Sequence, residues 1–168
     1  GDSVRASLVL GVIGVLGFGE NDELVEGIPF PKDPVKIAEK LDLSESGRLI
    51  DELITLIKRM KERGYNRFIF ENSELAKAVH EGLGVEVEVE KPSEAGDILR
   101  GDLGGFGVKI GFLEDKSQLP NLIHMVSIEL TKRRVKRATE KRDMVIVQTI
   151  QTIDDLEKTL NLFMGRVR

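Results

Sequence analysis

Between Lys141 and Arg168 the positions Ile146, Thr149, Ile153, Leu156, Leu160, Phe163 and Val167 recur at alternating spacings of three and four. That spacing is the seam of a helix built to lie against another helix. At 1.5 Å rise per residue the stretch makes a rod of about 42 Å. Such a seam is expected to be covered by another helix, or left to solvent at a cost in stability.

The remainder has to be a folded body of modest size. At 168 residues the chain is long enough for one domain with a proper core plus an extension, and too short for two full domains. Apolar residues make up 40% and charged residues 32%, which suits a packed soluble chain better than a disordered or membrane-embedded one. No apolar run approaches the roughly 20 residues of a spanning helix, and no signal peptide is visible, so a cytoplasmic place is expected. Without cysteine there is no disulfide framework and no thiolate chemistry. His80 and His124 stand alone without ligand spacing, so no metal site is expected. The charged, cysteine-free composition leans towards a heat-adapted source.

The net charge of -4 is unevenly spread. Residues 1–120 carry 15 Lys/Arg against 23 Asp/Glu, or -8, and residues 121–168 carry 10 against 6, or +4. An acidic head favours a basic partner, while a basic stretch in the tail suits a phosphate backbone.

Along the head, extended and helical signals alternate. "SLVLGVIGVLGF" is β-branched and apolar, "GEND" is a turn, and "ELVEGIPF" is a returning strand, which predicts an antiparallel hairpin or meander. Asp33-Pro34 opens a short helix to about Leu41. Ser44 or Ser46 caps a longer one, in which Leu49, Leu53, Leu56, Ile57 and Met60 keep helical spacing until Gly64. "RFIFE" is a buried strand, Asn72 or Ser73 caps "ELAKAVHEGL", and "VEVEVE" sets valines and glutamates on opposite faces. Pro92-Ser93 starts a further helix, weakened by Gly96, Gly101, Gly104, Gly105 and Gly107. From Ser117 or Asn121 onward the signal is helical, with Ile123, Val126 and Leu130 on an apolar face that "TKRRVKRATEKR" then interrupts. The expected fold is α/β: an N-terminal domain, residues 1–116, with a small mixed sheet and flanking helices, followed by a long helical extension, residues 117–168.

Four features bear on chemistry. The glycines of "GVIGVLGFG" have neither the G-x-G-x-x-G order nor a Walker lysine, and they read as strand or bulge glycines rather than a phosphate loop. The carboxylates Glu71, Glu86, Glu88, Glu90 and Glu94 gather near strand ends without a basic or acidic mate at a defined spacing, which fits a binding face better than catalysis. Lys132, Arg133, Arg134, Lys136, Arg137, Lys141 and Arg142 wrap most of a helix, so they cannot all line one groove-reading stripe; they are either a solvated helix or a phosphate contact. His124, among Leu122, Ile123 and Val126, is most simply a satisfied helix histidine.

The segments "FPKDPVKIAEKL", "YNRFIFENSELAKAV", "VEVEKPSEAGDILR", "GFLEDKSQLPNLIHMVSIELTKRRVK" and "KRDMVIVQTIQTIDDLEKTLNLF" occur in the order found in the archaeal Nop family, and the chain resembles that family over nearly its whole length. Members are the fibrillarin partners of box C/D ribonucleoproteins. The resemblance implies an α/β N-terminal domain that binds fibrillarin and a coiled coil that makes the homodimer. It also implies a C-terminal Nop domain holding guide RNA with a kink-turn-binding subunit, which is expected to be absent from these 168 residues. It implies a scaffold and not an enzyme: fibrillarin carries S-adenosylmethionine and performs the guide-directed 2′-O-methylation, so no cofactor is expected on this chain. The glycine-rich first strand and the Gly104–Gly107 stretch depart from the family pattern, and the latter segment is expected to be looser.

Carried onto this sequence, the fibrillarin contact is expected at the ends of adjacent strands: Glu71 and Asn72 after "RFIFE", then Pro92, Ser93, Glu94, Asp97 and Arg100 around the start of the following helix. The seam residues Ile146 to Val167 are assigned to self-association. Two rivals stand beside the scaffold: an RNA-binding module working through the basic helix 132–142, with Arg133, Arg134 and Arg137 on the RNA backbone, and a small enzyme using the glycine-rich strand and the carboxylates.

Overall fold

The computed structural model describes the backbone of residues 3–167 and the side-chain surroundings of residues 3–144. The side chains of the expected seam, Ile146, Thr149, Ile153, Leu156, Leu160, Phe163 and Val167, lie outside the described residues. Contacts divide the chain into a compact head, Gly1–Leu130, and a second unit, Thr131–Arg168.

The head is built on β1 (Arg5–Gly11), β2 (Gly14–Phe18), β3 (Leu24–Pro29), β4 (Arg67–Phe70) and β5 (Glu86–Val89), in the order β3-β2-β1-β4-β5. The first three make an antiparallel meander, and β4 and β5 add in parallel beside β1, so the sheet is mixed as expected. The apolar run "SLVLGVIGVLGF" is two strands, not one. It folds back at Val12-Ile13, with Gly11 paired to Gly14, where a side chain would run into the Ile28 carbonyl.

Helices α1 (Pro34–Glu45), α2 (Asp51–Glu62) and α3 (Ser73–Leu83) form one group, and α4 (Glu94–Gly101) and α5 (Leu103–Lys109) another. Met60 of α2 covers Gly17 on one face of the sheet, and Leu99 and Leu103 cover Gly11 on the other. Asp33 caps α1 by accepting from the Val35 amide. The expectation that Ser44 or Ser46 begins the next helix is wrong. Ser44 lies inside α1, its hydroxyl bonded to the Lys40 carbonyl, and Ser46 ends that helix. The chain turns through Gly47 at φ 78°, and α2 starts after Ile50, which makes no side-chain cap.

Asn72, not Ser73, caps α3. The glycine-rich stretch is not loose. Asp102 breaks it into α4 and α5 and caps Gly105, while Gly105 and Gly107 are buried, the latter close against Leu113 and Ile13. The missing side chains bring α5 near enough for Phe106 to meet Phe18 edge-on, ring centroids 5.5 Å apart. After a short 3₁₀ turn at Lys116–Gln118, α6 runs as one helix, Leu119–Val167. Its Leu119, Leu122, Val126 and Leu130 belong to or pack against the core.

Candidate functional site

Because β1, β4 and β5 run parallel, their carboxyl ends share one edge of the sheet, where open α/β folds keep their binding crevices. The chain leaves β4 through Glu71 and Asn72. The Asn72 side-chain oxygen accepts from the Glu74 and Leu75 amides at 2.9 and 3.2 Å, and its amide donates to the Glu45 carbonyl at 3.3 Å, tying the start of α3 to the end of α1. After β5 comes a cis Lys91–Pro92 bond, then buried Ser93, whose hydroxyl accepts from the Gly96 amide at 3.0 Å and caps α4. Asn72, Pro92 and Ser93 thus set the two helix starts.

The charged groups then close across the edge. Arg100, in the last turn of α4, donates to both carboxylate oxygens of Glu71, at 3.1 and 3.2 Å, and to Asp97 at 2.9 Å. These carboxylates, Glu71 first, raise the guanidinium's already high pKa. Gly96 makes this possible, because a side chain there would displace the Glu71 carboxylate. Beside the pair lies a cavity of about 250 Å³, walled by Leu8, Leu10, Leu41, Phe70 and Leu75 and rimmed by Glu71, Asn72 and Arg100. An apolar pocket with a charged rim is the composition of a protein-docking site.

Glu94 goes elsewhere. It shares a polar cleft of about 230 Å³ with Arg5, Glu20, Asp22 and Glu90. A hydrogen bond to the Asp22 carboxyl, and then that group's charge, holds Glu94 above the usual carboxylate range. The same face carries a cross-strand ionic group: Arg67 donates to Glu88 at 2.7 Å, Arg5 lies 3.5 Å from the other oxygen of Glu88, and Glu88 is held below its ordinary range chiefly by Arg67. The glutamates of "VEVEVE" do share that face; on the other, Val85 is buried and Val87 half-buried, but Val89 at the strand's end is exposed.

The structure therefore brings Glu71, Asn72, Asp97 and Arg100 together around α4 and sets Glu94 in a separate cleft. The pocket's apolar walls were missed because they read as ordinary core positions. Asp22, Arg5 and Arg67 were missed because their neighbours are distant in sequence. Among the described residues no group of three or more His, Cys, Asp or Glu is placed to hold a metal ion. No helix there is long and apolar enough to cross a membrane. His124 is exposed on α6, as are Arg134 and Arg137, with Arg133 half-buried.

Residues 5–136 match the model of the archaeal Nop5/56-related N-terminal domain. Over 100 residues, 57% of this chain and 24% of the relative, the sequence is 32% identical to an uncharacterised NOP5 family protein of Methanocaldococcus jannaschii. It is 28% identical over 122 residues to nucleolar protein 58 of Schizosaccharomyces pombe, covering 73% of this chain and 24% of that protein. With the probable nucleolar protein 5-2 of Arabidopsis thaliana it shares 26% over 144 residues, 80% of this chain and 26% of the other. The chain spans about a quarter of the length of these relatives.

Proposed function

This chain belongs to the archaeal Nop5/56-related family, and on that footing we propose that it is a non-catalytic scaffold of the box C/D ribonucleoprotein for RNA-guided 2′-O-methylation. Its head binds the methyltransferase fibrillarin, and α6 supplies self-association. The observation that carries the reading is the carboxyl edge of the sheet, where an apolar cavity is rimmed by Glu71, Asn72 and Arg100. An apolar anchor from the partner fills such a pocket while the charged rim excludes wrong partners and speeds encounter. The head's charge of -8 over residues 1–120 suits a basic partner.

In this reading S-adenosylmethionine stays on fibrillarin, and guide RNA and the kink-turn-binding subunit are held by a C-terminal Nop domain and not by residues 1–168. The assembly is placed in the archaeal cytoplasm. Calorimetry of the purified chain against fibrillarin, S-adenosylmethionine and guide RNA tests it. Saturable binding of fibrillarin, with none of the cofactor, is expected. Tight, salt-sensitive binding of guide RNA with no binding of fibrillarin would instead establish an RNA module working through residues 132–142.

A further inference from the structure

The cleft that holds Glu94 is lined by the carboxylates of Glu20, Asp22, Glu90 and Glu94 against one cation, Arg5. That guanidinium is already engaged with Glu88, at 3.5 Å. Asp22 is the one described residue other than glycine at positive φ, 59°. Its amide donates to the Gly19 carbonyl at 3.0 Å, which fixes the turn, and its carboxyl meets that of Glu94. From the sheet, Ser7 of β1 and its register partner Ile69 of β4 line the same cleft, only 8% and 9% exposed. A buried hydroxyl ordinarily has a hydrogen-bond partner, yet that of Ser7 has none among the described residues.

We infer that this cleft is a binding site for a primary ammonium group carried on an aliphatic stem. Unmet acceptors and surplus negative charge call for a cation that also donates hydrogen bonds, and an ammonium group carries three donors. The Ser7 hydroxyl accepts one and the Asp22 and Glu94 carboxylates accept the others, while the stem lies along Ile69. Entry of the cation replaces the opposition of two carboxyl groups with charge-assisted hydrogen bonds to both. A bare metal ion suits the cleft less, because among the described residues no three acidic groups are gathered closely enough to hold one. The cleft's volume of about 230 Å³ lies below the roughly 300–1,000 Å³ of small-molecule and cofactor sites, and it suits a group the size of a side chain. Such a group comes from a lysine of another protein or from a free aliphatic polyamine, whose second ammonium Glu20 and Glu90 are left to meet. The inference does not rest on fibrillarin binding, which was assigned to the edge with Glu71 and Arg100.

Calorimetry of the full chain at fixed ionic strength tests it, with 1,4-diaminobutane, N-acetyl-lysine methylamide and tetramethylammonium as probes. Saturable binding of the first two is expected. None is expected of tetramethylammonium, which has the charge but no N–H to donate. A diamine that binds tighter than the lysine analogue identifies a free polyamine as the source, and the reverse or equal order identifies a protein lysine. Glu94→Gln and Asp22→Asn should each raise the dissociation constant about tenfold or more, and Ser7→Ala about tenfold. Thermal unfolding separates these losses from misfolding and should show all three variants folded. A glutamine amide still bonds the Asp22 carboxyl, asparagine tolerates the positive φ, and Ser7 gives up no bond within the described protein. The proposal is overturned if neither amine binds saturably, if tetramethylammonium binds as well as they do, or if the folded variants bind the amines as tightly as the parent.

Discussion

Arg100 and Glu71 stand 29 positions apart, in a helix and at a strand end, yet the guanidinium spans both carboxylate oxygens. The arginine side chain is half exposed, so Arg100→Ala should cost the head less than about 1 kcal/mol in urea denaturation. At a docking rim the same change removes a fixed charge and frees Glu71, and fibrillarin binding is expected to weaken by about 1–3 kcal/mol by calorimetry. Equal small losses in both measurements would make the pair a structural clasp with no part in docking.

Two glycines in neighbouring helices should respond oppositely to alanine. A methyl group at Gly101 meets nothing within 4 Å, so Gly101→Ala is expected to stabilise by about 0.5–1 kcal/mol through helix propensity and a less free unfolded chain. At Gly107 the methyl group lies 2.7 Å from Leu113 Cδ1 and 3.1 Å from Ile13 Cγ2, and Gly107→Ala should destabilise by about 1–3 kcal/mol. Urea midpoints read both.

Glu94 gives a pH signature. Its folded pKa is raised, first by the hydrogen bond to Asp22, so the head prefers the protonated carboxyl and is less stable once that proton is lost. Glu94→Gln is therefore expected to stabilise the head at neutral pH. Its advantage should shrink as pH falls through the raised pKa, where the parent regains the proton. Thermal unfolding across pH 4–7 checks the trend, and a constant difference across that range would contradict it.

Charge reversal of Arg133, Arg134 and Arg137 together should leave fibrillarin affinity nearly unchanged if the docking edge is the one proposed, because that edge belongs to the head and these arginines to the second unit. If the basic helix instead binds RNA, the parent shows a steep fall of affinity with salt and the triple variant abolishes binding. Titrations at two salt concentrations separate these outcomes.

Much of the head was legible because its signals are local. Asp33 and Asn72 cap the helices they were expected to cap, Gly64 follows the end of α2, and the apolar spacing of Leu53, Leu56, Ile57 and Met60 marks a buried stripe. The turn inside the first apolar run was hidden, since Val12 and Ile13 are strand formers and only the Gly11 and Gly14 pair permits the reversal. The start of α2 was hidden too, because Ile50 offers no capping side chain. At the candidate site, helix starts were readable from Asn72 and Ser93. That Glu71 and Arg100 meet, and that Glu94 faces Asp22, depends on sheet order, which no local spacing encodes.

The strand order has a kinetic side. β1 is the first strand in sequence and the middle strand of the sheet, bonded to β2 across a two-residue turn and to β4 some 62 positions away. During synthesis the meander can close as soon as β3 has emerged, but its free flank then waits, unpaired, for α2 and β4 to follow. A nascent chain stalled in that interval carries an open, apolar strand edge, the kind of surface that chaperones hold and that other copies capture. The segment Arg67 to Glu71, which carries one side of the proposed docking edge, is thus also the one that covers the open flank of β1.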